Sequence, residues 1–268
     1  MNIRGQHIVL RGVKAPAAPG SVKLNTSAAD RILAGMPYVH RVMAPKNLKN
    51  IDGGGVSGNC QVSGEPFILK GVQPFTLRVE TFNGKPVLSQ ANTLYQASLA
   101  FQPGSGRKSY TAVMVVSVAD PTDRVNFMMS YTDETPIATV LRYDITTDSP
   151  DQKKLVAYGS NNNPAHASVQ RPAGNFAVVV VDYNDATRVV SIAVNQAEAF
   201  VEQVKSVNHP VVADKSYFEI GYHGSVNSLR AAKVGDVYLF EESLRTSPAA
   251  MAELVKLVAA LKTEYAIA

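Results

Sequence analysis

The chain has no tryptophan among its 268 residues and a single cysteine, Cys60. One cysteine excludes an intrachain disulfide. With no second thiol nearby it also excludes a zinc knuckle or a redox pair, which leaves Cys60 as a small, half-buried hydrophobe. The five histidines stand apart at positions 7, 40, 166, 209 and 223, without the H-x-x-x-H or H-E pairing of a histidine metal site. No apolar run approaches the roughly 18 residues needed to cross a bilayer, and the N-terminus lacks the apolar stretch of a secretory signal, so neither a membrane span nor Sec-dependent export is expected.

Hydrophobic residues make up 46% of the chain and charged residues 18%, a balance that suits one globular body. All-β sandwiches commonly run to about 200–250 residues as one domain, so the length does not require a second. The net charge of +4 hides an asymmetry. Residues 1–50 carry Arg4, Arg11, Lys14, Lys23, Arg31, Arg41, Lys46 and Lys49 against one acid, Asp30, leaving 18 basic and 21 acidic residues in the remainder. A basic leader on an acidic body can serve docking to an acidic partner, contact with nucleic acid or simple solubility; for docking, Arg4, Arg11, Lys14, Arg31, Arg41 and Lys46 are the candidate residues. Nucleic acid is not the expected partner, because these charges are spread singly among apolar residues and Tyr38 is the segment's only aromatic.

Residues 1–52 read as an extended basic arm. Residues 3–13 have the β-branched character of a strand, Ala15-Pro16-Ala17-Ala18-Pro19-Gly20 is a stiff spacer, and 27–35 fit two helical turns with Ser27 as N-cap and Gly35 just past the end. So little apolar surface cannot fold alone; the arm must lie on its own body or a neighbouring subunit, or stay unfolded. From residue 53 onward strand signals recur at short spacing. Residues 75–82 alternate and lead into the hairpin signal Asn83-Gly84. Segments 94–101, 110–118, 125–131, 137–143, 154–158, 175–183, 188–195, 197–204, 217–222 and 229–240 follow, separated by Gly-, Pro-, Asn- and Asp-rich turns. These are antiparallel hairpins, not βαβ units. One helix is expected over 248–266, with Ser247 as N-cap, Pro248 at the first turn and an apolar stripe of Leu254, Leu257, Val258, Leu261 and Tyr265, packed on the sandwich edge.

The order of a strand at 217–222, a strand at 229–240 ending Val237-Tyr238-Leu239-Phe240, the segment 241–244 and a terminal helix resembles the end of concanavalin A-like, or laminin G-like, jelly-roll domains. The pair 175–183 and 188–195, turning through Asn184-Asp185, is similar to the same family's pattern, although Gln196 stands where that pattern has glycine. The resemblance covers roughly residues 70–265. It implies an all-β, two-sheet antiparallel jelly-roll sandwich over 53–268 with the arm before it. Among tailed-phage structural proteins such domains serve as decoration, fibre or tail components. That setting implies a homo-oligomeric virion protein made in the host cytoplasm, docked to other virion proteins or to copies of itself.

No catalytic machinery is evident. Glucanases of this fold use two carboxylates about 5–5.5 Å apart when they retain configuration, placed as an E-x-D-x-x-E run that the chain lacks. Asp144 and Asp148, four apart before Ser149-Pro150, read as a turn, and neither G-x-S-x-G nor a phosphate loop occurs. The expectation is a protein that is not an enzyme. The alternative to virion docking is binding of cell-surface polysaccharide through rim loops carrying Asn161, Asn162, Asn163, Tyr222, His223 and Asn227, whose amides and rings suit sugar hydroxyls and sugar faces. Calcium would need converging carboxylates; Asp120, Asp123, Asp133 and Glu134 read as solvated turns, so no cofactor is expected.

Overall fold

A computed structural model of the chain describes residues 27–72, 75–90, 97–117, 124–144, 153–161, 165–224, 228–229 and 232–268. The strands are β1 (Val39–Met43), β2 (Lys49–Asn50), β3 (Val56–Ser57), β4 (Ile68–Gly71), β5 (Leu77–Phe82), β6 (Lys85–Gln90), β7 (Ala97–Ala100), β8 (Tyr110–Ser117) and β9 (Val125–Thr132). They continue as β10 (Thr135–Asp144), β11 (Lys154–Ala157), β12 (Ala167–Gln170), β13 (Ala177–Asn184), β14 (Val189–Val194), β15 (Val201–Val204), β16 (Ser216–Gly221) and β17 (Lys233–Phe240). Helix α1 (Ala28–Gly35) precedes them and α2 (Pro248–Glu264) follows.

They form the expected all-β sandwich. An eight-stranded antiparallel sheet runs β15-β14-β13-β8-β17-β6-β5, with β1 also on β17, and a seven-stranded one runs β12-β11-β10-β9-β16-β7-β4. The Asn83-Gly84 turn joins β5 to β6 with both residues at positive φ, 50° and 71°, the twist that suits a two-residue hairpin.

The long valine runs of β8 and β13 have a structural reason. Alternate residues of a strand face opposite ways, and here both faces are dry. Ala112, Met114, Val116, Val179 and Val181 enter the core between the sheets, while Val113, Val115, Val178 and Val180 enter a second core beneath the helices. Into that second core α2 sends Leu254, Leu257, Val258 and Leu261. The helix therefore covers the outer face of the eight-stranded sheet rather than its edge, because five apolar positions along 17 residues need a surface wider than one strand. Ser247 caps it as expected, accepting from the Ala250 N–H.

Residues 28–50, read from sequence as part of the arm, lie on the body. Helix α1 is closed by a capping box in which Ser27 Oγ accepts from Asp30 N–H at 3.0 Å and Asp30 Oδ2 from Ser27 N–H at 3.2 Å. Ala29, Leu33, Met36 and Val42 join the second core. Gly35 is the last helical residue rather than the one beyond it, and Met36 caps the end in an extended conformation. Residues 1–26, including the strand expected at 3–13, lie outside the described part.

The strand expected at 197–204 begins only at Val201. Gln196, standing where the resemblance has glycine, bends the chain first: its Oε1 accepts from the N–H groups of Glu198 at 2.6 Å and Ala199 at 2.7 Å. Cys60 is buried, and the Val42 N–H points at its Sγ at 3.4 Å.

Candidate functional site

With helices over one sheet, the outer face of the seven-stranded sheet is where polar side chains gather. The register fixes which ones. Phe218 and Ile220 of β16 enter the inter-sheet core, so Tyr217 and Glu219 turn outward, and Tyr131 of β9 lies directly opposite Tyr217. The two tyrosine rings stack with centroids 5.3 Å apart and planes 5° from parallel.

Beyond β16 the chain folds back over this pair. His223 stacks on Tyr131 at 5.0 Å, and Tyr222 lies 6.4 Å from the same ring. Glu219 anchors the fold-back: one carboxylate oxygen accepts from the His223 backbone N–H at 2.8 Å and the other meets His223 Nδ1 at 2.7 Å. The carboxylate accepts only, which places the imidazole proton on Nδ1 and turns Nε2 outward, toward Glu134 Oε2 at 3.8 Å. Glu134, in the β9–β10 turn, grips Lys70 of β4 at 2.6 and 2.8 Å, and the Lys70 ammonium also donates to Tyr217 Oη at 2.9 Å. The Lys70 hydrogen bond holds the Glu134 carboxyl below its ordinary pKa. Burial pushes the Tyr131 and Tyr217 phenols well above theirs, with nearby carboxylates adding to the effect. Both phenols therefore stay protonated, as donors rather than nucleophiles. The buried Tyr131 hydroxyl has no hydrogen-bond partner among the described residues.

The sequence-expected residues divide between places. Tyr222 and His223 lie in the loop that follows β16, where Glu219 holds His223 and both rings lie over Tyr131. Asn161 follows β11, and its carbonyl accepts from Lys205 Nζ at 3.1 Å. It lines a separate shallow depression of about 570 Å³ with Asp133, Pro136, Ile137, Pro210 and Val212. Asn162, Asn163 and Asn227 lie outside the described residues. Lys70, Tyr131, Glu134, Tyr217 and Glu219 were not assigned to a binding site from sequence. The signal was there in Tyr217-Phe218-Glu219-Ile220: a carboxylate inside an otherwise apolar strand marks a face in need of a partner. Glu134 and Asp133 are not merely solvated, since each pairs with a lysine, Lys70 and Lys215.

The docking residues are placed as follows. Arg4, Arg11 and Lys14 lie outside the described part, and Arg31 is exposed on α1. Arg41 pairs with Glu65 at 3.1 Å and contacts His40 Nδ1 at 3.1 Å. Lys46 pairs with Asp30 at 3.1 Å. Both are thus engaged within the chain. Burial, followed by the charges of Arg41 and Arg107, pulls His40 down to about 3, so it is a neutral acceptor among guanidiniums.

No protein-family model matches the chain, and no curated protein does. Solved structures do match in fold. Domain 4 of AbnA, a GH43 extracellular arabinanase from Geobacillus stearothermophilus in complex with arabinotriose, has a TM-score of 0.56 at 11% identity and is covered over 99% of its length by 82% of this chain. The Trypanosoma rangeli sialidase in complex with sialic acid has a TM-score of 0.54 at 14% identity, and 85% of this chain covers 33% of it. A mutant of that sialidase displaying trans-sialidase activity has a TM-score of 0.52 at 13% identity, with 88% of this chain covering 37% of it. The chain thus spans about a third of the sialidases it matches. At such identities the likeness establishes the fold. It also corrects one expectation: chains carrying this sandwich include enzymes, a sialidase and an arabinanase, so missing motifs do not make this protein a non-enzyme.

Proposed function

We propose that this chain is a carbohydrate-binding domain that holds a sugar chain against the outer face of its seven-stranded sheet, at Tyr222, His223, Glu134 and Lys70. The observation that carries the reading is the fold-back of His223 onto the Tyr131–Tyr217 pair, fixed by a buried carboxylate at 2.7 Å. It presents a rigid aromatic surface with donors and acceptors at its margin, the arrangement that suits a ligand with apolar ring faces and a hydroxyl edge. The match to a sandwich domain in complex with arabinotriose supports the same ligand class.

A panel of arabinans, sialylated glycans and bacterial envelope polysaccharides tests this by affinity electrophoresis and calorimetry. His223→Ala and Tyr222→Ala each remove about 1–2 kcal/mol of stacking and hydrogen bonding, and so weaken binding about tenfold. Asn161→Ala, in the separate depression, leaves it unchanged. Binding indifferent to both ring substitutions, or no retention by any glycan, would sink the proposal. A virion-docking role is the second reading. It rests on the eight-to-one excess of basic over acidic residues in 1–50, four of the eight, Arg4, Arg11, Lys14 and Lys23, lying in 1–26. Removing residues 1–26 then abolishes co-sedimentation with particles and spares glycan retention.

A further inference from the structure

Two edge strands of the eight-stranded sheet, β5 and β15, are treated differently. At β5 the edge is closed: the Asn50 side chain accepts from the Val79 N–H at 2.7 Å and donates to the Val79 carbonyl at 3.0 Å, filling the place of a neighbouring strand. At β15 nothing equivalent stands among the described residues. All four of its residues are exposed, with Val201 at 46% and Val204 at 56%. It has no proline, glycine or lysine to discourage pairing. The next residue, Lys205, is buried and spends its ammonium on the carbonyls of Asn161 and Ala165.

We infer that β15 is a self-association edge, at which a second copy of this chain adds its own β15 antiparallel about a two-fold axis through Gln203. The hydrogen-bond phase supports this occupant. Lys205 N–H bonds Arg188 O at 2.7 Å, so by alternation Val201 and Gln203 turn their backbone groups toward β14, and Glu202 and Val204 turn theirs to the open side. In a two-fold antiparallel pair, facing residues must share a side of the sheet, which limits the centre to a residue position. Centring on Glu202 would set two carboxylates against each other, which is unfavourable. Centring on Val204 would send Glu202 beyond the partner strand, to Ser206. Centring on Gln203 pairs Glu202 of each copy with Val204 of the other, satisfies every outward N–H and C=O of both strands, and sets the two Gln203 amides side by side, where facing side chains are closest. Glu202 enters already paired with Arg245. Such a contact closes on itself and extends the sheet across two subunits.

Sedimentation velocity on the full chain tests it. The expected wild-type species has the mass of two chains. Gln203→Lys and Gln203→Glu, each placing like charges opposite one another, run at the mass of one chain with unchanged circular dichroism, and an equimolar mixture of the two variants returns to two. A wild type that stays at one-chain mass over the accessible concentration range, or variants that remain dimeric, would overturn the inference.

Discussion

Lys205 provides the sharpest test of the energetics, because a charge is held where water is excluded. Its side chain is 1% exposed, its ammonium donates to the carbonyls of Asn161 and Ala165, and it lies 5.5 Å from the Tyr158 ring centre. Burial lowers its pKa from 10.5 to about 8. At about 1.4 kcal/mol per pH unit, keeping the ammonium charged below pH 8 costs the fold about 3 kcal/mol. Between about pH 8 and 10.5 the unfolded chain holds a proton that the folded one has released, so stability from this group rises with pH over that window. Lys205→Met keeps most of the volume and removes the titration. At pH 7 the two effects oppose, relief of desolvation against loss of hydrogen bonds worth about 1.5–3 kcal/mol each, so the pH dependence is the decisive quantity. Urea unfolding followed by circular dichroism, needed because the chain lacks tryptophan, should show wild type gaining up to about 3 kcal/mol on the variant from pH 7.5 to 10.5. The tyrosines raised by burial lower stability at the alkaline end in both proteins and cancel in the difference. A difference that stays constant across the window would refute the reasoning.

Asp236 shows the opposite sign. Burial raises its carboxyl to about 6, against the pull of Lys46; the folded chain therefore keeps a proton that the unfolded one loses near 3.8, and the stability it contributes is lost as pH rises from about 4 through 6. Asp236→Asn flattens that part of a melting-temperature profile, and an unaltered profile refutes the assignment. Asn50→Ala removes both hydrogen bonds to Val79 and costs about 1 kcal/mol in urea unfolding; no change would show that the β5 edge does not depend on the amide.

The strands legible in the sequence were those bounded by turn chemistry. Asn83-Gly84 and the Asn184-Asp185 region punctuate β5, β6, β13 and β14; Asn83, Gly84 and Asn195 tolerate the positive φ they adopt, while Arg188 takes a positive φ that its residue type does not announce. Strands such as β1, β4 and β12 carry no such punctuation; they exist because a neighbour offers a free ladder, as β17 does for Val39–Met43, and pairing of that kind is not written locally. The candidate site divides the same way. Tyr222 and His223 could be picked out by residue type, but their position could not, since it depends on a carboxylate four residues upstream and a tyrosine on a different strand. Lys70 and Glu134 are 64 residues apart and meet only through sheet order.

Where the polar site falls follows from how each sheet satisfies its outer face. The eight-stranded sheet has apolar residues on both sides of β8 and β13, so its outer face must be covered, and α1 and α2 cover it. The seven-stranded sheet places Tyr131, Tyr217, Glu219 and Arg142 outward, with Tyr158 just past the end of β11. No helix could bury these without stranding their polar atoms. Most of their polar atoms are met instead by one another and by a short fold-back of chain, while the Tyr131 hydroxyl keeps no hydrogen-bond partner among the described residues. Glu219 to His223, Glu134 to Lys70 and Tyr217, and Arg142 to Asp144 at 2.6 Å are the resulting pairs. A surface of that composition, ordered by its own side chains with no helix over it among the described residues, would meet the proposed ligand with little left to rearrange. That separation of duties, one outer face covered for stability and the other left polar, is why the proposed carbohydrate site lies on the seven-stranded sheet and the proposed self-association edge on the eight-stranded one.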